Sequence, residues 1–501
     1  MTLRGSLMVC GTASDVGKSR VVAGLCRVLA RKGVDVAPFK AQNMALNSFV
    51  TATGHEIARS QAHQAAAAGT LPAVEMNPIL LKPTGELKSQ LVVMGRAVGE
   101  VLAGDYLRRK DALAPVVLHA LDTLRRSHDV VVAEGAGGAA EINLLDGDLV
   151  NLPLARAARM PAILIGDIER GGVFASLYGS VALLPGELRA QLRGFVVNKL
   201  RGDPRLLDSG LRELERRCGL PCLGVLPHLG ELVVDAEDSL ALPLPPVARQ
   251  QVHDRDVLDV AVIALPHLAN FTDFDPLVLE PAVALRYVGG AVALGKPDLV
   301  VIPGSKATVA DLAWLRRVEL DRAIELAVAD GSHLLGICAG YQMLGARLVD
   351  EVESKAGEVT GLGVLGSTTE FSLRKRTRQR RGVDPSGTPV GGYEIHHGEV
   401  TRGDATPPWF RLEADGGSEE EGARDEQRGV FATSLHGLFE TDAFRRSFLA
   451  EVASHRGKRF VPGAVGFEER RQSEIDRVAD ALEAHLDLAR VMAMLAEGAR
   501  R

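Results

Sequence analysis

At 501 residues the chain is too long for a single hydrophobic core, and its length predicts two to four domains. With 46% hydrophobic and 24% charged residues it has an ordinary soluble balance, and a net charge of -6 gives no basic field for a nucleic-acid partner. Five scattered cysteines argue against a disulfide framework. There is no signal-peptide pattern or membrane-length apolar run, so a cytoplasmic protein with no membrane partner is expected.

The first predicted strand, Ser6 to Cys10, runs into Gly11-Thr-Ala-Ser-Asp-Val-Gly-Lys-Ser19, and a helix follows with Val21, Val22, Leu25, Val28 and Leu29 on one face. Strand, Gly-rich loop, Gly-Lys-Ser and helix make a P-loop. Gly17 and the loop N–H groups cradle phosphate, Lys18 reaches the terminal phosphates of ATP, and Ser19 ligates Mg²⁺. Gly11 lies six residues before Gly17 rather than five, so Thr12 takes the usual first-glycine place. That variant resembles the P-loop of dethiobiotin synthetases, which serves ATP-dependent carboxylate chemistry.

The next strand, around Val36, delivers Lys40, Gln42, Asn43, Asn47 and Ser48 as a polar cluster, and Asn77-Pro-Ile-Leu-Leu-Lys82 repeats the pattern of strand end plus lysine. Polar residues at strand C-termini face the ligand crevice of an α/β sheet, so Lys40, Gln42, Asn43 and Lys82 are placed on the substrate or phosphate side. Val130 to Ala133 reads as a buried strand ending in Glu134, where an acid completes Mg²⁺ coordination with Ser19. Later strands are expected at Pro161–Gly166, Gly194–Val197 and Leu223–Leu226, and Asn198, after one of them, is assigned to adenine. Alternating strands and helices at this spacing predict a mostly parallel, doubly wound sheet. The Pro-rich and then charged stretch 236–256 reads as a linker closing a first domain at 235.

A second α/β pattern begins at Val257, with strands at Asp259–Leu265 and Leu299–Ile302 and a third strand ending in Gly336-Ile-Cys-Ala-Gly340. A cysteine flanked by small residues at a strand-to-helix turn is a nucleophile elbow, with the thiol at a helix N-terminus. The competing interpretation is a buried cysteine in an ordinary βα turn. Backbone N–H groups of Gly304 and Ala339 are candidates for an oxyanion hole, and His436, ending the strand Val430-Phe-Ala-Thr-Ser-Leu-His436, is the candidate base. Gly391 to Gly398 reads as a polar strand end lining a substrate or ammonia path. Arg374–Arg381 and Asp415–Glu426 read as a solvated basic loop and a mobile acidic connection. The second α/β domain is bounded at 257–445, and 446–501 reads as a helical extension with a terminal helix from Ser473 to Ala496.

Together these motifs resemble the cobyric acid synthase family of cobalamin-biosynthesis amidotransferases. The resemblance spans nearly the whole chain and rests on Gly11-Thr-x-x-Asp-x-Gly-Lys-Ser19, Phe39-Lys-Ala-Gln-Asn-Met-Ala-Leu-Asn-Ser48, Asn77–Pro83, Glu134–Gly137, Asp167–Ala175, Pro303-Gly-Ser-Lys306, Gly336-Ile-Cys338, Gly392-Tyr-Glu-Ile-His396 and His436-Gly. It implies a P-loop synthetase domain joined to a class I glutamine amidotransferase domain. It further implies amidation of the b, d, e and g carboxylates of adenosylcobyrinic acid a,c-diamide to adenosylcobyric acid, with ATP, Mg²⁺ and glutamine, through an acyl phosphate. Typical class I enzymes carry His-x-Glu, whereas here His436-Gly-Leu-Phe-Glu440 has no acid two residues on. The resemblance therefore implies a Cys338–His436 dyad and leaves open what orients the imidazole. Ammonia reacts only unprotonated, so a sheltered route to the synthetase site is expected. The alternatives are a cobyrinate a,c-diamide synthase, a cell-wall amidotransferase, or a regulatory P-loop ATPase with an inactive glutaminase-like module. The run Gln42-Asn-Met-Ala-Leu-Asn47 argues against the first two, and intact Cys338 and His436 against the third. Nothing in the sequence sets the oligomeric state.

Overall fold

Strand alternation explains the first sheet. In the computed structural model, which describes residues 3–85, 87–230 and 256–499, six strands lie side by side: β1 Gly5–Gly11, β2 Val36–Phe39, β3 Val130–Glu134, β4 Ala162–Asp167, β5 Leu192–Leu200 and β6 Cys222–Pro227. Their spatial order is β6-β5-β4-β1-β3-β2, and every pairing is parallel. Met8, Cys10, Val131, Ala133 and Leu164 face one core, while Leu7, Val9, Val130, Val132, Ile163 and Ile165 face the other. A parallel sheet covered on both faces needs apolar residues on both, which is why these strands read as unbroken hydrophobic runs. Helix α1, Lys18–Arg31, covers the second core with Val21, Val22, Leu25, Val28 and Leu29, as its spacing requires.

A four-stranded sheet stands apart from this one: Gln42–Met44 runs parallel to Ile79–Gly85, and Lys88–Val93 and Arg96–Leu102 continue it antiparallel. Lys82 is therefore inside a strand of this smaller sheet, not at the end of a strand of the main one. The reversal at Met94-Gly95, both with positive φ (46° and 73°), is the tight turn that lets the hairpin form.

The second unit repeats the first architecture with β7 Leu258–Ile263, β8 Val283–Val288, β9 Leu299–Ile302, β10 His333–Ile337 and, much later, β13 Val430–Thr433. The order is β8-β7-β9-β10-β13, all parallel, with Ala423–Asp425 added antiparallel at the edge. Again two cores form, one with Ala261, Ile263 and Leu334 and the other with Val260, Val262 and Leu335. Between β10 and β13 lies a mainly antiparallel sheet whose longest strands are β11 Thr368–Val383 and β12 Pro389–Thr401.

That sheet corrects two expectations at once. The basic run is not a loop but the second half of β11, and the acidic stretch forms strands at Gly417–Glu421 and Ala423–Asp425. Arg378 pairs with Glu394 and Glu419, Arg380 Nη1 lies 2.9 Å from Glu419, and Arg376 pairs with Glu399 at 2.9 Å. Glu394 and Glu399 of β12 and Glu419 of the acidic stretch thus supply counter-ions to the basic run, which is ordered in the sheet.

Contacts divide the chain into two units, Met1–Ala45 with Ile57–Glu237 and Arg471–Arg501, and Leu46–Glu56 with Asp238–Arg470. The linker expected at 236–256 lies outside the described residues except at Asp256. The C-terminal extension is divided. The helix Asp442–His455 packs Phe444, Phe448 and Val452 into a core of the second unit, while α3 Phe467–His485 and α4 Leu488–Ala499 bury Ile475, Leu482, Val491 and Leu495 in the first. One continuous helix to Ala496 was expected. The break comes because Leu486 forms a β-bridge with Gly224 and Asp487 N donates to Leu223 O at 2.7 Å. A Cβ on Gly224 would sit 2.2 Å from His485 O, so only glycine admits this approach.

Candidate active sites

Cys338 stands between β10 and the short helix α2, Ala339–Leu344, with φ 52° and ψ -106°. A non-glycine residue in that region is strained, and strain of this kind persists only where the surroundings impose it. Here both neighbours impose it. A Cβ on Gly340 would lie 1.9 Å from Ile302 O at the end of β9, and one on Gly336 would meet Leu344 Cδ1 at 2.6 Å. The two glycines let helix and strand approach so closely that the chain between them turns sharply at the buried Cys338. Cys338 N donates to Thr433 O at 2.7 Å, tying the elbow to β13.

His436 is not the last residue of a strand, as expected, but lies in the loop after β13. Glu421 ends the strand by taking the Thr433 hydroxyl and the Ser434 N–H, each at 2.7 Å. The loop then pairs with β12, with Tyr393 N donating to His436 O at 3.0 Å and His436 N to Tyr393 O at 2.9 Å. The imidazole is buried and within hydrogen-bonding reach of the Cys338 thiol. Gly304 lies against its ring, where a Cβ would come 2.8 Å from His436 Cε1. The Gly304 carbonyl is taken up by Ala269 N at 2.9 Å, while Ala339, also buried, begins α2 directly after the thiol.

The orienting group missing from the sequence motif is Asp273. Its Oδ2 lies 2.7 Å from His436 Nδ1, and its Oδ1 accepts from Gly437 N at 2.8 Å. Cys338, His436 and Asp273 thus come together, and the carboxylate on Nδ1 occupies the orienting position that the sequence left open, with Nε2 on the far side of the ring. Burial works against a charged imidazole, but the charges of Asp273 and Cys338 outweigh it, and the His436 pKa is pushed up to about 10. Asp273 sits in a turn of 3₁₀-helix, Phe271–Phe274, in the loop after β7. It lies 163 residues from His436, so no local motif could reveal it. The available signal was an acid in a strand-end loop of the same sheet.

In the first unit, Gly17 has φ 98°, and a Cβ there would lie 2.3 Å from Asn198 Nδ2. Asn198 Nδ2 donates to Val16 O at 2.8 Å and its Oδ1 accepts from Lys199 N at 2.9 Å, so it braces the P-loop from behind. One amide N–H and one lone pair remain beyond these two bonds. Asn198 also lines a small solvent-open pocket with Leu226, Pro227, Val478 and Leu482. Thr12 N donates to Ile165 O at 2.9 Å, which anchors the start of the loop on β4. Lys18 donates to Ala13 O of its own loop (2.8 Å) and to Gly137 O in the turn after β3 (3.0 Å).

Glu134 gathers the neighbouring groups. Its Oε1 accepts from Ser19 Oγ at 2.7 Å and Lys40 Nζ at 2.6 Å, and its Oε2 accepts from Gln64 Nε2. Burial alone would favour the neutral acid, but the Lys40 charge and the bonds from Lys40, Ser19 and Gln64 hold the carboxyl below its ordinary range. Asn43 Nδ2 bonds Ser60 and Gln61, and Gln42 accepts from Tyr106. Lys82 is buried in the small sheet. Asn47 and Ser48 do not join this cluster; they belong to the second unit. Gln64, on the helix Arg59–Ala68, was not anticipated. A polar residue buried on an otherwise alanine-rich helix was its signal.

A P-loop nucleotide domain and a Cys-His-Asp elbow on a second α/β sheet define a glutamine amidotransferase. Comparisons agree: residues 7–239 match the CobQ/CobB/MinD/ParA nucleotide binding domain, and residues 259–444 match the CobB/CobQ-like glutamine amidotransferase domain. Similar curated proteins are the cobyric acid synthases of Nocardia farcinica (50% identity, covering 99% of this chain and 98% of that one), Frankia casuarinae (49%, 99% and 98%) and Klebsiella pneumoniae (44%, 99% and 98%). The chain belongs to the cobyric acid synthase family, glutamine-hydrolysing ligases of cobalamin biosynthesis. No helix among the described residues is long and apolar enough to cross a membrane.

Proposed function

We propose that this enzyme amidates, one after another, the b, d, e and g carboxylates of adenosylcobyrinic acid a,c-diamide, with ATP and with ammonia taken from glutamine. The observation that carries the glutaminase half is the strained Cys338 facing an imidazole whose other nitrogen is on Asp273. The Cys338 thiolate attacks the side-chain amide carbon of glutamine. The developing oxyanion is met by the N–H groups of Gly304 and Ala339, and His436 Nε2 delivers the proton with which ammonia leaves. Water, deprotonated by His436, then releases glutamate from the thioester.

In the synthetase half, Thr12, Gly17, Lys18 and Ser19 take the phosphates of ATP, and Asn198 reads the adenine with its remaining donor and acceptor. A magnesium ion fits Ser19 Oγ and Glu134 Oε1: both are hard oxygen donors, they already converge at 2.7 Å, and Lys40 Nζ shows that a cation is accommodated on the same oxygen. When bound, Mg²⁺ supplies charge neutralisation at the β- and γ-phosphates. Lys40, Gln42, Asn43 and Lys82 receive the substrate carboxylate and the transferring phosphate. The carboxylate oxygen displaces ADP from the γ-phosphorus, and ammonia then displaces phosphate from the acyl phosphate to leave the amide.

Mass spectrometry of the a,c-diamide after incubation with enzyme, ATP, Mg²⁺ and glutamine tests this. Four successive decreases of about one mass unit are expected, one per OH replaced by NH₂. An unchanged substrate mass with both glutamine and ammonium as nitrogen source would sink the assignment.

A further inference from the structure

The most distinctive motif of the N-terminal half, Gln42-Asn-Met-Ala-Leu-Asn-Ser48, runs past the synthetase residues into Asn47 and Ser48, which fold with the second unit. Both are buried, at 2% and 0% exposure. Asn47 Oδ1 accepts from Phe271 N at 2.9 Å, and Ser48 N donates to Asn270 Oδ1 at 2.8 Å. Asn270 and Phe271 open the turn that carries Asp273. On its other side, Ser48 O accepts from the Tyr393 hydroxyl at 2.8 Å, and the Phe49 ring lies 5.5 Å from that of Tyr393. Tyr393 in turn stacks on His436, with ring centroids 5.6 Å apart and planes at 29°, and exchanges two backbone hydrogen bonds with it.

The imidazole is thus held at its edge by Asp273 and on its face by Tyr393, and both holders are fixed to the same dipeptide. We propose that Asn47 and Ser48 are positioning residues of the glutaminase reaction, holding the Asp273 turn and the Tyr393 ring that orient His436. The inference rests on the reading of Cys338 and His436 as a glutaminase. A buried peptide group that loses its partner relaxes toward another, and a shift well under 1 Å in a base is enough to lower kcat. Ser48 Oγ donates to Glu56 at 2.8 Å and Lys375 pairs with Glu56, so the segment is fastened at its far end as well. The stretch carrying Lys40, Gln42 and Asn43 therefore runs without a break into the residues that set the glutaminase base.

The test uses Asn47→Ala, which removes the acceptor of Phe271 N, and Tyr393→Phe, which removes only the hydroxyl bonded to Ser48 and keeps the ring. Glutamine hydrolysis and ammonium-supported amidation are measured across pH for each. Expected are a fall in glutaminase kcat of about tenfold or more with KM within about twofold. The alkaline limb of its pH profile should move to lower pH as the Asp273 contact loosens, and ammonium-supported turnover should stay near wild type. Unchanged kcat and pH limb in both variants overturns the proposal. So does an equal fall with glutamine and with ammonium, which marks a purely structural role. If the wild type consumes ammonium but hydrolyses no glutamine, the glutaminase reading itself fails, and the proposal with it.

Discussion

The two sites of this chain are organised in opposite ways. In the second unit the groups we propose to react are preset: Cys338 is held in a strained turn, and the His436 imidazole is clamped at edge and face. In the first unit the charged groups satisfy one another. Lys18 is bonded to its own loop and to the turn after β3, and Lys40 sits on the carboxylate assigned to Mg²⁺. A thiolate generates its own product from a neutral amide and gains from preorganisation. A phosphate site without its polyanion would gather uncompensated positive charge in a buried place, and self-pairing avoids that cost. Ligands in the first unit must therefore exchange partners, whereas in the second they meet a finished geometry.

Substitutions that strike one site and spare the other sharpen this contrast. Cys338→Ala has the largest expected effect: glutamine-dependent amidation drops by at least about 10³-fold while ammonium-supported amidation persists, read by product formation with each nitrogen source. Glu134→Gln should lower turnover with either source by about 10²–10³-fold, since both depend on the phosphoryl step. If it impaired only the glutamine reaction, the roles of the two units would be misassigned. Asp273→Asn should reduce glutaminase kcat by about 10²-fold with little change in KM.

The pH dependence carries the same contrast. A histidine whose pKa is raised in the folded protein contributes stability fully present below its ordinary value near 6.5 and lost as pH climbs through about 10. The imidazolium that protonates leaving ammonia is lost in the same window, so glutaminase kcat should decline on the alkaline side near pH 10 and earlier in Asp273→Asn. An alkaline limb near pH 6.5 in the wild type would contradict the Asp273 contact.

Stability effects are smaller. Gly340→Ala forces a Cβ to 1.9 Å from Ile302 O and should cost about 1–3 kcal/mol in a urea melt. Arg376→Ala removes a pair between side chains 36% and 50% exposed, and should cost no more than about 1 kcal/mol.

Much of this was legible locally. A P-loop and an elbow depend on a few adjacent residues, because the glycines that permit the turn and the groups it presents lie within one strand-to-helix junction. Gly17, Gly336 and Gly340 each have a steric reason to be glycine, and unbroken apolar strands declare a sheet buried on both faces. Other features had no local signal. The basic run Arg374–Arg381 and the acidic run Asp415–Glu426 each resembled solvated chain, because charge in isolation is best satisfied by water. Only their meeting in one sheet, where Glu419 reaches Arg378 and Arg380, makes them ordered partners.

By itself, then, the sequence marked out the residues we propose to bear the chemistry: Lys18, Ser19 and Glu134 on one sheet, Cys338 and His436 on another. Tertiary structure decided what holds them. Asp273 reaches His436 from a different strand loop, and Asn47 and Ser48 leave the half of the chain in which they are written to brace that loop. The reason is physical. A reactive group is defined by its own atoms and its immediate turn, but its orientation depends on partners that come within hydrogen-bonding distance only after the chain has folded.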